Sequence, residues 1–312
     1  MKLGQSVHKL TLETINKMKK YYQHFLQDPP QGSLFRAKTK NAVITAYKSG
    51  KVLFQGASPE AEAGKWMNKQ QVPKSQQKVT SQKTSLYTPP LTLFNNSHIG
   101  SDEAGTGDYF GPITVACTYV KKEQIAALSE LGVKDSKNLS DEQIRKLSKE
   151  IIKSRLPYSL LVLRNEKYNK LQKKGWSQGK MKAMLHHHAI KNLQQKINNQ
   201  PLKGILIDQF CEPSLYKKYI TSEKESLSAK TYFITKAESY SLAVAAGSII
   251  ARASFLNEMD KLSKKIGVPL QKGASYLVDQ TIANIIKKRG KQVLHTCAKT
   301  HFANTNKAKK YL

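Results

Sequence analysis

The chain has 312 residues, enough for one large domain or two of ordinary size, and its 39% of hydrophobic residues can bury a normal core. It carries 52 Lys and Arg against 22 Asp and Glu, a formal net charge of +30, which is typical of a protein that binds a polyanion such as nucleic acid. A high lysine content that serves solubility alone is the alternative reading of this charge. The composition excludes a membrane-spanning protein, since no apolar run approaches ~18 residues.

The N-terminus has no apolar segment or small-residue cleavage site of a secretory signal, so we expect a cytoplasmic protein. The three cysteines are scattered and odd in number, and they form neither a disulfide framework nor a metal-binding pattern. We expect them to be reduced.

Residues 1–67 are predicted to form a small α+β domain. A short strand at residues 7–11 precedes a helix that starts at Leu12 and continues to Pro29. Three strands follow within residues 33–56, and Pro59 begins a second helix. The apolar residues at helical spacing in the first helix are Leu12, Ile15, Met18, Tyr22 and Phe25.

A basic face is predicted on the sheet of this domain. Arg36, Lys38 and Lys40 alternate along one strand, and the period of two places all three on the same face. The face is either a platform for nucleic acid or an ordinary solvated surface, and the sequence leaves both open.

Residues 68–97 are predicted to form a flexible linker. The stretch is rich in Gln, Lys, Ser and Thr, contains three prolines and has no acidic residue. Such a composition buries too little apolar surface to order itself.

From residue 98 onward, strands and helices alternate. Strands are predicted at residues 98–105, 111–120, 156–163, 204–208 and 230–236. Helices are predicted at 123–131, 140–153, 177–197, 238–259 and 279–289, the second opened by a capping box of Ser140 and Gln143. Residues 98–312 are therefore predicted as an α/β domain built around a mixed sheet flanked by helices.

Acidic residues stand out at particular positions in this basic domain. Asp102 and Glu103 are adjacent at the end of the first strand, and Asp208 ends the apolar strand GILID. Glu238 is predicted at a helix start, where the helix dipole favours a negative charge. Four carboxylates that converge could hold two divalent cations, and such a pair promotes phosphoryl displacement. In a chain that binds nucleic acid, this set indicates a metal-dependent nuclease.

Two other features are given no catalytic role. The run His186–His188 lies in a predicted helix, where successive side chains point about 100° apart, so the three cannot close on one metal and a surface or packing role is expected. Asp108, the third acid of the first segment, is interpreted as a loop residue.

Four segments together resemble the type 2 ribonucleases H, and more closely ribonuclease HIII than ribonuclease HII. They are SDEAGTGDYFGP, VKDSKNLSDEQI, GILIDQF and KAESYSLAVAAGSIIARASF, in this order. The fourth acid is Glu where ribonucleases HII usually have Asp, and the small preceding domain resembles the TATA-box-binding-protein-like domain of ribonuclease HIII. The resemblance implies a ribonuclease H-like fold.

The resemblance also implies residue roles. Asp102, Glu103, Asp208 and Glu238 would be the catalytic, metal-binding acids, with Mg²⁺ or alternatively Mn²⁺ as the cofactor. Gly105, Thr106 and Gly107 match the loop whose main chain contacts ribose 2′-hydroxyls. Ser136 and Lys137 match a block near the substrate phosphates, although a plain loop before a helix explains them equally well. KTHFAN, with Lys299, resembles a C-terminal block, for which helix-end packing is at least as good an explanation.

These features predict a monomeric endonuclease that cuts the RNA strand of RNA–DNA hybrids and leaves 5′-phosphate and 3′-hydroxyl ends. Two alternatives stay open. One is a ribonuclease HII-like enzyme that requires a ribonucleotide–deoxynucleotide junction. The other is a non-catalytic protein that binds hybrids, in which the acids are structural.

Overall fold

The computed structural model describes residues 4–30, 32–66, 86–133 and 139–312. The chain divides into two compact units, Met1–Gln82 and Lys83–Leu312. No helix within the described ranges has both the length and the apolar character needed to cross a bilayer.

The first unit is a five-stranded antiparallel sheet with two helices. Its strand order is β1-β5-β4-β3-β2. The strands are β1 (Gly4–Lys9), β2 (Leu26–Gln27), β3 (Ser33–Lys38), β4 (Ala42–Tyr47) and β5 (Lys51–Gly56), and the helices are α1 (Leu12–Tyr21) and α2 (Pro59–Gly64).

The first helix is shorter than predicted. It ends at Tyr21 and is followed by a 3-10 turn over Gln23–Phe25 and by strand β2. Ile15 and Met18 enter the core, whereas Phe25 is 50% exposed. The apolar spacing of the sequence continued past the helix end, so it could not mark that end.

The predicted basic face is formed only in part by the strand. Phe35 and Ala37 of β3 are buried, so Arg36 and Lys38 lie on the opposite face. Lys40 follows the end of β3, yet it lines the same shallow groove as Arg36 and Lys38.

The second unit has a mixed five-stranded sheet, in the order β10-β9-β6-β7-β8. Strands β6, β7 and β8 are antiparallel neighbours, while β9 and β10 run parallel to β6. The strands are β6 (His98–Ala104), β7 (Ile113–Val120), β8 (Tyr158–Leu163), β9 (Ile205–Asp208) and β10 (Thr231–Ile234).

Helices cover both faces of this sheet. The helices are α3 (Ile125–Glu130), α4 (Asp141–Lys153), α5 (Asn165–Lys173), α6 (Gln178–Ile197), α7 (Pro213–Thr221), α8 (Leu242–Ile266), α9 (Tyr276–Arg289), α10 (Leu294–Cys297) and α11 (Asn304–Lys307). All eight residues of β7 are buried, with Ala116 in the core beneath α8 and Val115 in the core beneath α6. The predicted capping box of Ser140 and Gln143 begins α4.

The end of the predicted linker belongs to the second unit. Leu91–Asn95 form a 3-10 helix, and Leu93 is buried against Leu206 and Val244. Residues 86–97 are therefore structured, in contrast to the prediction, because a small apolar cluster there was masked by the polar composition of the whole stretch. The remainder of the predicted linker, residues 68–85, lies outside the described residues.

Candidate active site

The sheet brings Asp102 and Asp208 to neighbouring strand ends. Strands β6 and β9 are parallel, and Ser101 is paired with Ile207, so each aspartate is the next residue after a paired position. Asp208 is itself paired with Ile234 of β10. The carboxyl ends of three parallel strands therefore meet at one edge, the usual position of ligand sites in α/β sheets.

Asp102 lies in a buried position crowded with negative charge. Burial, together with the charges of Glu103 and then Asp208, raises the pKa of its carboxyl to about 7. A hydrogen bond from Ser248 and another from the Glu103 backbone N–H, 2.7 Å from Oδ1, oppose this rise only in part. A cation at this position would relieve the repulsion.

Glu103 points to the other side of the sheet, toward α6. Its Oε1 accepts a hydrogen bond from Lys182 Nζ at 2.7 Å, and its Oε2 lies 2.9 Å from His186 Nε2. Burial alone would raise the pKa of Glu103, but His186 and Lys182 outweigh it and hold the pKa below its ordinary value. This carboxylate is therefore ionised and oriented by two side chains.

Glu238 lies close to Asp208 in the chain trace. The backbone N–H of Ala237 donates to Asp208 Oδ1 at 2.8 Å, and the neighbouring Glu238 is buried. Glu238 belongs to a 3-10 turn, Ala237–Ser239, and α8 begins only at Leu242 behind the N-cap Ser241. The predicted helix start at Glu238 is wrong, because Ser241 supplies the cap.

The acids do not form a closed metal cage by themselves. Across residues 4–30, 32–66, 86–133 and 139–312, no group of three or more His, Cys, Asp or Glu side chains is arranged to hold a metal ion. Asp102 and Asp208 approach each other, Glu103 is turned toward Lys182, and Glu238 is linked to Asp208 through Ala237.

The loop after β6 requires glycine at its first position. Gly105 has φ +86°, and a Cβ there would lie 2.3 Å from the Pro112 carbonyl oxygen and 2.7 Å from the Phe255 ring. Gly107 has open space around it. Within the described part of the chain, the buried hydroxyl of Thr106 has no hydrogen-bond partner. Ser136 and Lys137, the other predicted substrate-binding residues, lie outside the described residues.

Comparison with known proteins identifies the family. A family model described as Ribonuclease HII matches residues 99–305, and one described as Domain of unknown function (DUF3378) matches residues 5–79. A curated ribonuclease HIII of Oceanobacillus iheyensis is 60% identical over 99% of this chain and 100% of that protein. The chain belongs to the ribonuclease HIII family.

Other members of the ribonuclease HIII family agree with this assignment. The ribonuclease HIII of Bacillus licheniformis is 52% identical over 99% of this chain and 98% of that protein. The crystal structure of Bst-RNase HIII in complex with Mn²⁺ is 40% identical, covers 98% of both chains and superposes with a TM-score of 0.68. The predicted family, the α/β fold with its small preceding domain, and the endoribonuclease H activity are confirmed.

Three side chains that contact this site were not predicted from the sequence. Lys182 and His186 bind Glu103, and Gln178 Nε2 donates to the Thr106 carbonyl oxygen at 3.0 Å. His186 lies within the histidine run that was expected to serve surface or packing roles. The signal in the sequence was their spacing of four residues, which places all three on one face of a helix.

A buried lysine fixes the loop that follows the glycines. Lys299 Nζ donates to the carbonyl oxygens of Asp108 at 2.8 Å and Gly111 at 2.7 Å. Asp108 Oδ1 in turn accepts the Gly273 N–H at 2.6 Å. Asp108 therefore fixes the loop as well as lying in it. Lys299 packs inside the domain, in agreement with the packing interpretation of KTHFAN.

The contribution of Lys299 to stability should depend on pH. Burial lowers its pKa to about 7, against a smaller opposite effect of Asp108. The unfolded chain keeps this proton up to about pH 10.4, so between pH 7 and 10 it holds more protons than the folded chain, and the free energy of unfolding rises with pH.

We expect Lys299→Met to remove this pH dependence. The unmodified chain should gain up to about 1.4 kcal/mol per pH unit over the variant between pH 7 and 10. Urea unfolding of both proteins at pH 7, 8 and 9 measures the difference. A difference that stays constant across this range would contradict the buried, proton-releasing lysine.

Proposed function

We propose that this ribonuclease HIII family member hydrolyses the RNA strand of RNA–DNA hybrids with Asp102, Glu103, Asp208 and Glu238 as the ligands of divalent cations. The observation that carries the proposal is the placement of Asp102 and Asp208 on the adjacent parallel strands β6 and β9, with the buried Glu238 next to Ala237, which donates to Asp208. In keeping with this crowding, burial and the charges of Glu103 and Asp208 raise the pKa of the Asp102 carboxyl to about 7. A folded protein tolerates such crowding when a cation neutralises it.

The donor set fits a hard divalent cation. All four groups are carboxylates, and oxygen ligands suit Mg²⁺ and Mn²⁺. The Mn²⁺ complex of Bst-RNase HIII supports this choice, and we propose Mg²⁺ as the cofactor, with Mn²⁺ as an alternative. When bound, two such cations supply activation of the attacking water and stabilisation of the leaving oxygen. The products would be 5′-phosphate and 3′-hydroxyl ends.

The chain's own residues would select and position the substrate. The loop Gly105–Gly107 lets the backbone approach a ribose, and contact with a 2′-hydroxyl distinguishes RNA from DNA. Arg36 and Lys38 give the first unit a basic face that would bind the phosphate backbone, so affinity for the hybrid should fall with salt. We propose residues 1–67 as this binding domain and the second unit as the catalytic domain, in a monomeric cytoplasmic protein.

The test is cleavage of a hybrid labelled at the 5′ end of its RNA strand. We expect cleavage with Mg²⁺ or Mn²⁺, none with excess chelator, and recovery when the cation is added back. A duplex with one embedded ribonucleotide separates this enzyme from a junction-specific one, since preferential cleavage of that duplex would favour the ribonuclease HII-like alternative. Binding without cleavage under every metal condition would leave only the hybrid-binding alternative.

A further inference from the structure

One face of α6 contacts the chain between Ser101 and Thr106 through three side chains, each about one helical turn from the next. Gln178, Lys182 and His186 are spaced by four residues, so their side chains lie above one another along the helix. We call these three residues the α6 face. Each donates to, or contacts, the segment between Ser101 and Thr106.

Both oxygens of Glu103 are held by the α6 face. Lys182 takes one and His186 the other, and the second ring nitrogen of His186 lies 2.7 Å from Ser101 Oγ. The ring of Phe210 supports both groups. Its centroid lies 5.3 Å from the centroid of the stacked His186 ring and 4.0 Å from Lys182 Nζ. His186 is fully buried and the Lys182 side chain is only 10% exposed, so the arrangement has little freedom.

The third residue of the α6 face, Gln178, contacts the loop Gly105–Gly107. Gln178 Nε2 donates to the Thr106 carbonyl oxygen and to the Tyr168 hydroxyl, both at 3.0 Å. The same helix therefore contacts both the Glu103 carboxylate and the backbone of the loop Gly105–Gly107. A 20-residue helix buried along much of its length is a stiff connection between the two.

We propose that the α6 face is the positioning element of the enzyme, fixing the Glu103 carboxylate and the Gly105–Gly107 loop relative to each other. The proposal rests on the proposed function, in which Glu103 binds a cation and the loop contacts the RNA strand. Lys182, His186 and Gln178 act through these groups and need no contact with the substrate.

Lys182 has two opposite effects in this arrangement. Its ammonium group orients the Glu103 carboxylate through a short hydrogen bond, which favours catalysis. The same positive charge repels a divalent cation placed on that carboxylate, which weakens cation binding. Removing the charge should therefore strengthen cation binding and impair the reaction together.

The first experiment compares Lys182→Met with Lys180→Met. Lys180 lies on the same helix and forms a 2.5 Å ion pair with Glu223, away from the acids. For Lys182→Met we expect Mn²⁺ affinity, measured by calorimetry, to rise about fivefold and kcat to fall about tenfold, with KM for the hybrid unchanged. Lys182→Arg should keep kcat within about threefold, and Lys180→Met should change none of these values.

The second experiment uses Gln178→Glu, which keeps the side-chain shape and removes the donor to Thr106. The carbonyl of Thr106 would then face a carboxylate, and we expect KM for the hybrid to rise about tenfold with Mn²⁺ affinity unchanged. This split, cation binding altered at Lys182 and substrate binding altered at Gln178, is what a positioning face predicts.

The outcomes separate this proposal from the proposed function. If Mn²⁺ affinity and kcat fall together in Lys182→Met, or if kcat is unchanged, the α6 face does not position Glu103. A rise in KM equal in both variants would indicate general loss of structure and also overturns the proposal. The proposed function itself is tested separately, because it fails if the unmodified chain shows no cation-dependent cleavage of the hybrid, whatever the variants do.

Discussion

Replacing Asp208 by Asn should nearly abolish cleavage while leaving hybrid binding intact. Asn keeps the volume of the side chain, and its Oδ1 can still accept the Ala237 N–H that Asp208 accepts at 2.8 Å. What is lost is one negative charge at the strand end beside Asp102. Because cation assistance is worth several kcal/mol of transition-state stabilisation, kcat should fall by roughly 10³-fold.

The same substitution should raise stability when no metal is present. The charge of Asp208 is one cause of the raised pKa of Asp102, so removing that charge relieves repulsion in the folded, metal-free protein. Thermal unfolding in chelator should therefore show a higher midpoint for Asp208→Asn, and added Mn²⁺ should stabilise the variant less than the unmodified chain.

A matched control is Asp260→Asn, which makes the same chemical change at an exposed residue of α8. The Asp260 side chain is 58% exposed and pairs with Arg145 at the surface. We expect its activity and its response to Mn²⁺ to equal those of the unmodified chain. Full activity of Asp208→Asn would overturn the assignment of the acids, and a lower midpoint in chelator would show that Asp208 is a structural residue.

The positions of the aspartates could be predicted because each lies at or near the carboxyl end of a buried strand. GILID reads as a buried strand with a charge at its carboxyl end, and DEAG as a strand that stops at glycine. Parallel strands in an α/β sheet bring such ends to one edge. The local pattern and the known rules of sheet construction therefore sufficed for Asp102 and Asp208, which the structure places on adjacent strands.

The partners of Glu103 could be identified only from the tertiary packing. Nothing in the sequence of α6 shows which of its faces meets β6, and within the histidine run only His186 touches Glu103. Successive helix residues diverge by about 100°, which argued against a three-histidine metal site but gave no indication of the role of His186. The role of Lys299 depends likewise on carbonyl groups nearly two hundred residues away along the chain.

The ends of helices were the other feature that the sequence did not predict correctly. Apolar spacing continued beyond the end of α1, and Glu238 stands in a turn four residues before Leu242, where α8 begins. At Glu238 a competing local feature delayed the start of the helix. For α8 that feature is Ser241, whose side chain accepts the Val244 N–H and caps the helix.

Gly100→Ala should cause a large loss of folding stability, because α8 lies directly on the backbone of β6 at this residue. A Cβ on Gly100 would be 2.1 Å from the Val244 nitrogen and 2.4 Å from the Ala243 carbonyl carbon. Both are backbone atoms of α8, so no side chain can rotate away to relieve the clash. Thr118 Oγ1 further ties the Ala243 carbonyl to β7 at 2.7 Å, which hinders any shift of the helix.

We expect Gly100→Ala to lower the free energy of unfolding by about 3 kcal/mol or more, at the upper end of the cost of overpacking. The chain has two tryptophans, Trp66 in the first unit and Trp176 in the second. In a Trp66→Phe background, Trp176 fluorescence during urea unfolding reports on the second unit alone. Because α8 also carries Ser248, which bonds Asp102, cleavage should weaken in the variant that still folds.

The control is Gly107→Ala in the same background, since a Cβ on Gly107 meets nothing within 4 Å. Its free energy of unfolding should stay within about 0.5 kcal/mol of the parent. A Gly100→Ala variant as stable as this control would mean that α8 can move away from β6 at little cost. The close contact at Gly100 would then not be what holds Ser248 against Asp102, and the geometry of the acids would have to be maintained by the pairing of β6 with β7 and β9.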